Sequence, residues 1–165
     1  MKRTTIATLL LIVLASVSTV MVSADSPHFK TGPSSVDNGM TATASGSLAG
    51  LGNGDVIITL NFPNASGATL CTNKGGTEAP GQNPALGVSV SGSQFVDNPK
   101  NGTLKFSVTT LLPPNPSSAE AGCPNANWSA SFSDITFGCG TLTVQQEDSQ
   151  GSGKYDVVLT ADVCL

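Results

Sequence analysis

Four cysteines, Cys71, Cys123, Cys139 and Cys164, are the residues of this chain with the most definite covalent chemistry. An even count in a chain that opens with an export signal reads as two disulfides, and four cysteines allow three connectivities. A structural zinc site is poorly supplied, because no Cys-x-x-Cys spacing occurs and His28 is the one histidine. The expected bridges are Cys139–Cys164 and Cys71–Cys123. The first rests on geometry. Residues 136–145 and 155–164 read as two strands around a turn at 146–153. Cys139 shares parity with Thr141 and Thr143, and Cys164 with Thr160 and Asp162, so both point to the polar face of the hairpin. They stand a few residues from direct opposition, an offset that a bulge at Gly138 or Gly140 would close.

Nucleophilic catalysis finds little to work with. A serine needs a base, and His28 lies close to the expected mature N-terminus, where order is least common. No Gly-x-Ser-x-Gly elbow is present. The glycine-rich stretch Gly50-Leu51-Gly52-Asn53-Gly54-Asp55 is followed by a β run rather than a helix, so it reads as a turn and not as a dinucleotide fingerprint. Gly151-Ser152-Gly153-Lys154 imitates a phosphate loop, but Asp148 and Tyr155 stand where that loop requires Gly and Ser or Thr. Paired carboxylates cleave glycosidic bonds according to their separation in space. A secreted polysaccharide hydrolase is therefore the alternative reading. Asn53 with Asp55, Asp97 with Asn98, and Glu147 with Asp148 offer oxygen ligands at loop ends without matching an EF-hand. Ca2+, in a calcium-stabilised structural module, is the one cofactor the sequence leaves open.

The compartment is read from the start of the chain. Met1-Lys2-Arg3 precedes an uncharged, mostly apolar run from Ile6 to Val22, and Val22-Ser23-Ala24 supplies small residues for cleavage. The expected organisation is a signal peptide at 1–24, a tail or edge strand at 25–39 and a β-sandwich domain at 40–165. Cleavage after Ala24 leaves five lysines against eleven acids, a net charge of −6. That balance excludes nucleic-acid recognition by a basic patch and gives the mature chain no affinity for anionic membranes. Charged residues make up 11% of the sequence, against roughly 25% in ordinary soluble domains. Polarity must therefore come mostly from Ser, Thr and Asn. Three glycosylation sequons follow from that composition, at Asn64, Asn101 and Asn127.

The elements that must position these residues are strands. With 18 Gly and 10 Pro, no window sustains helical periodicity with caps. Residues 40–48 alternate with period two, and 56–62 is strongly β, with Ile57 and Ile58 suggesting burial on both faces. Pro63 to Gly67 is expected to break that strand, which resumes at 68–72. Leu86, Val88 and Val90 alternate with small polar residues, as do Leu104, Phe106 and Val108, and Trp128, Ala130 and Phe132. This pattern places Trp128 in the core. Residues 73–84 and 112–127 are long Gly- and Pro-rich loops. About seven or eight short strands with regular turn signals predict an all-β fold, a single antiparallel β-sandwich, immunoglobulin-like or related, with two disulfides.

Gly50-Leu51-Gly52-Asn53, Cys71-Thr72-Asn73-Lys74-Gly75-Gly76, Pro80-Gly81-Gln82-Asn83-Pro84 and Gly122-Cys123-Pro124-Asn125 with Trp128 form a recurring set of turn motifs. With Pro27-His28-Phe29 near the mature start, the chain resembles a family of small secreted β-rich proteins of bacteria and archaea. The resemblance implies that Cys71 and Cys123 belong together. Its motifs specify a fold rather than an activity, and it brings no catalytic residue.

The function expected from the sequence is that of a secreted, non-catalytic extracellular or cell-surface module, for binding or structure. Its partner would be an extracellular protein or glycan met by the loops at 73–84 and 112–127, since loops fixed on a rigid scaffold are the usual place for recognition. Asn73, Lys74, Glu78, Gln82, Asn83, Asn115, Glu120 and Asn125 are the polar residues placed to make that contact.

Overall fold

A computed structural model of the chain describes residues 26–99 and 102–165. The expected signal peptide at 1–24 and the sequon asparagine Asn101 lie outside the described residues. Nine strands run in chain order: β1 (His28–Asp37), β2 (Ala42–Ala49), β3 (Val56–Thr72), β4 (Glu78–Pro80), β5 (Leu86–Val96), β6 (Leu104–Thr109), β7 (Ser129–Thr136), β8 (Cys139–Glu147) and β9 (Tyr155–Cys164). All pairings are antiparallel. One sheet has the order β1-β2-β6, and the other the order β5-β3-β8-β9, with β4 and β7 paired to the distal half of β3. This is the order of an immunoglobulin-type sandwich, A-B-E against C′-C-F-G, with β4 and β7 as additions. Neither disulfide joins β2 to β8, where antibody domains carry theirs.

Alternation decides which face is dry. Val56, Ile58, Leu60 and Phe62 of β3 are fully buried, as are Leu142 and Val144 of β8. Across from them lie Ala42, Ala44 and Leu48 of β2 with Phe106 and Val108 of β6. Each large side chain so buried contributes about 1.5–3 kcal/mol. Phe137, in the short link between β7 and β8, meets Phe62 edge to face with centroids 5.2 Å apart. The side edges of the sandwich are also drawn together. Leu111 N–H donates to Ser91 O at 2.9 Å where β6 passes β5. On the opposite side Ser35 Oγ donates to the Cys164 carbonyl at 3.1 Å.

Several sequence expectations are corrected. The break expected at Pro63–Gly67 is a bulge: Phe62 pairs with Val90 and Ala65 with Val88, and the strand continues to Thr72. Proline has no N–H to give a ladder, and a bulge removes the need for one. β3 thus becomes a spine of 17 residues. The β5 and β4 segments follow one of its edges and the β8 and β7 segments the other. Of the segment at 25–39, expected as a tail or an edge strand, His28–Asp37 form the edge strand β1, paired to β2. The loop at 73–84 contains the short strand β4.

The second correction concerns the last hairpin. Cys139 pairs directly with Cys164, and the bulge is elsewhere: Val144 faces Leu159 and Gln145 faces Val157, so Val158 is the extra residue. Both cysteines are exposed on the polar face. A third correction moves Trp128 out of the main core. It is half-buried and packs on a satellite cluster of Cys71, Ala121 and Ala130 beside the Cys71–Cys123 bridge.

Candidate functional site

The candidate site is built on the distal end of β3. Cys71 is fully buried there, flanked by Ala79 of β4 and Ala130 of β7, and is bridged to Cys123 with Cα atoms 5.7 Å apart. Cys123 is delivered by a tight turn with a recognisable sequence cause. In Ser117-Ser118-Ala119-Glu120, the Glu120 carboxylate accepts the Ser117 N–H and O–H at 2.8 and 2.7 Å, and Glu120 N–H donates to Ser117 Oγ at 3.2 Å. This is the reciprocal arrangement of a capping box. Ala121 N–H donates to Ser117 O at 3.0 Å, and Gly122 at φ 69° reverses the chain into Cys123. The Ser-x-x-Glu…Gly signal is legible in the sequence, although its proline-rich surroundings read as loop.

The two loops are bound to each other. Gln82 and Asn83 N–H donate to the carbonyls of Gly122 and Ala121 at 3.3 and 3.2 Å, and Asn83 Nδ2 donates to Glu120 O at 2.7 Å. Thr69 Oγ1, nearly buried, donates to Asn83 O at 2.8 Å. Gly81 permits this approach, since a Cβ there would lie 2.2 Å from Thr69 Oγ1 and 2.4 Å from the Ala121 carbonyl.

The sequence-selected residues divide into two groups. Asn73 Oδ1 accepts the N–H groups of Gly75 and Thr77, Asn125 Oδ1 accepts that of Asn127, and Asn83 and Glu120 hold the loops as described. These four side chains organise the backbone. Ser117, first through its hydroxyl and then through its N–H, holds the Glu120 carboxyl below its ordinary value. Lys74, Glu78, Gln82 and Asn115 are exposed, and no side-chain hydrogen bond or ion pair is formed by any of them among the described residues. Of the sequons, Asn64 is exposed at the β3 bulge and Asn127 is exposed before β7.

Sequence reasoning missed Leu111 and Leu112, which are 74% and 65% exposed where the chain leaves β6 for the second loop. A Leu-Leu-Pro-Pro run at a strand end was the available signal. The depression lined by Ser118, Ala119, Cys123 and Asn125 measures about 200 Å3, below the 300–1,000 Å3 of ordinary small-molecule sites.

The oxygen-rich loop ends considered for calcium meet at the other end of the sandwich. Asp55 Oδ1 accepts the Asn98 N–H at 3.0 Å, and Glu147 N–H donates to Asp55 O at 2.9 Å. Glu147 is buried, and its carboxylate accepts the N–H groups of Gly153 at 2.6 Å and Gly151 at 3.0 Å. Asp148 is engaged by Ser152 and by Lys154, which also pairs with Asp156. The carboxylates here close the 148–153 turn, and among the described residues no group of three or more His, Cys, Asp or Glu is arranged to hold a metal ion. Tyr155 is pushed up by burial and then by the charges of Asp55 and Glu147.

No family model, curated protein or solved structure matches this chain. The arrangement of its own residues therefore carries the functional argument. That arrangement is two loops held rigid by a bridge and by hydrogen bonds, with a charged, amide and leucine surface facing outward. Two disulfides are compatible with an oxidising compartment.

Proposed function

We propose that the protein is a secreted, non-catalytic β-sandwich module that engages an extracellular protein or glycan through the loops at 73–84 and 112–127. The observation that carries this reading is the division of labour in those loops. Asn73, Asn83, Glu120 and Asn125 spend their polar atoms on backbone order, while Lys74, Glu78, Gln82 and Asn115 face solvent beside the exposed Leu111 and Leu112. Loops ordered before contact lose little entropy on binding, which favours recognition. The depression beside Cys123 is smaller than an ordinary small-molecule site, which favours a broad macromolecular contact over a small ligand.

The test is residue-specific cross-linking of the exported protein in its native culture, with photoreactive groups at positions 74, 82 and 115. A single partner joined at those positions, and lost with Leu111→Ser/Leu112→Ser, supports the reading. Cross-links indifferent to that double substitution, or none at these positions, count against it.

A further inference from the structure

A cleft on the three-stranded sheet lies far from those loops, and the geometry points to it as a binding site for a short saccharide carrying a carboxylate or a sulfate. β1 does not follow β2 evenly. Its pairing shifts between Phe29 and Thr31, and again between Thr31 and Ser34, where Thr31 faces Ser47 and Ser34 faces Ser45. Lys30 and the pair Gly32-Pro33 are the residues left over. Pro33 has no N–H to offer the ladder. The sheet opens into a cleft of about 590 Å3, within the range of small-ligand sites.

The lining has the chemistry of an acidic sugar. Two hydroxyl pairs frame the gap, Thr31 Oγ1 with Ser47 Oγ at 2.7 Å and Ser34 Oγ with Ser45 Oγ at 3.2 Å. In the Thr31–Ser47 pair one hydroxyl donates and the other keeps its own O–H for a ligand, while Ser34 Oγ also reaches the Ser45 carbonyl at 3.4 Å. Gly46 also lines the cleft, with the buried Phe106 ring packed against it, so a sugar ring approaching there meets no bulky side chain. Lys30 and Lys105 stand on its rim, both exposed. Every ion pair among the described residues belongs to Lys154, so neither rim lysine is paired with a described acid. In a mature chain of net charge −6, two lysines without a described acid partner at one polar cleft mark a local preference for an anion. The same net charge disfavours a long polyanion, and the cleft volume suits one or two sugar rings.

The cleft adjoins the end of β2 and the start of β6, beside the 50–55 connection that enters β3, whereas the stapled loops flank the far end of β3. This inference does not rest on the loop reading, and either stands without the other.

The experiment uses the mature chain, isotope-labelled for amide NMR, titrated with digalacturonate, a monosulfated disaccharide and neutral cellobiose. Shifts clustered on residues 30–34, 45–47 and 103–106 are expected with one or both acidic sugars, and not with cellobiose. The two acidic arms tell carboxylate from sulfate. Lys30→Gln and Lys105→Gln should each weaken binding about three- to tenfold, as expected for a lost charge-assisted contact. Lys74→Gln should leave it unchanged, and the unperturbed spectrum of each variant verifies its fold. Equal response to cellobiose, affinity indifferent to both lysines, or no response to either acidic sugar would overturn the assignment.

Discussion

Cys139 and Cys164 sit directly opposite each other in the β8–β9 pairing, with Cα atoms 4.0 Å apart, and their bridge lies on the solvent face of the sheet. Cys71, by contrast, is sealed in the satellite cluster under Trp128. The two bridges therefore differ in access although both close long loops.

That difference sets an order of reduction. Under native conditions a thiol reductant should open Cys139–Cys164 first, because exchange needs attack on an accessible sulfur. Cys71–Cys123 should open more slowly, because Cys71 is fully buried and only the half-buried Cys123 is open to attack. Timed alkylation with peptide mass mapping reads the order, and simultaneous loss of both bridges would contradict it. From the spans of 25 and 52 residues, replacing each pair by serine should cost about 3.5 and 4 kcal/mol in urea unfolding.

The Glu147 carboxyl predicts an acid limb. The N–H groups of Gly153 and then of Gly151 hold it below its ordinary 4.5 in the folded protein. A depressed folded value means the stabilisation is fully present above the unfolded value and is lost as pH falls through the folded one. Melting temperature should therefore fall as pH drops below about 4.5. Glu147→Gln should lower it near neutrality and shrink the acid dependence. A variant with the wild-type acid profile would show that this carboxylate is not the group responsible.

Two glycines of β5 make a matched pair. At Gly92 a Cβ would lie 2.0 Å from the Thr109 carbonyl, while at Gly87 nothing is within 4 Å. Gly92→Ala should destabilise by about 1–3 kcal/mol, because the obstacle is backbone that cannot turn aside. Gly87→Ala should be close to neutral in the same denaturant titration.

Phe62 is fully buried at the β3 bulge against Phe137. Phe62→Ala should cost about 3–5 kcal/mol, and Phe62→Leu distinctly less. Equal losses would mean the pocket collapses around either side chain.

The alternation of β5, β6 and β8 placed the dry faces correctly from sequence, because period two is local and each strand repeats it several times. The bridge Cys139–Cys164 was legible for the same reason, since parity fixed its face. Its register was not. The slip at Val158 depends on how β9 packs, and no residue type announces it. Pro63 misled because its local preference is to end a strand, whereas β5 pairs with β3 before and after the bulge, and β8 and then β7 hold its other edge. In the sequence Glu147 reads only as an oxygen ligand at a loop end. Its burial follows from the 148–153 turn folding its amides back over the carboxylate, a contact made only once the hairpin exists. In the loops the right segments were visible, but the split between residues that order the backbone and residues left to solvent needed the hydrogen bonds.

The Cys139–Cys164 bridge has a mechanical meaning as well. An antiparallel edge strand ordinarily peels from its end, one rung at a time, at low force. Here tension applied to Leu165 passes through sulfur into β8, which is held along β3, so β9 cannot unzip from its free end before β8 takes the load.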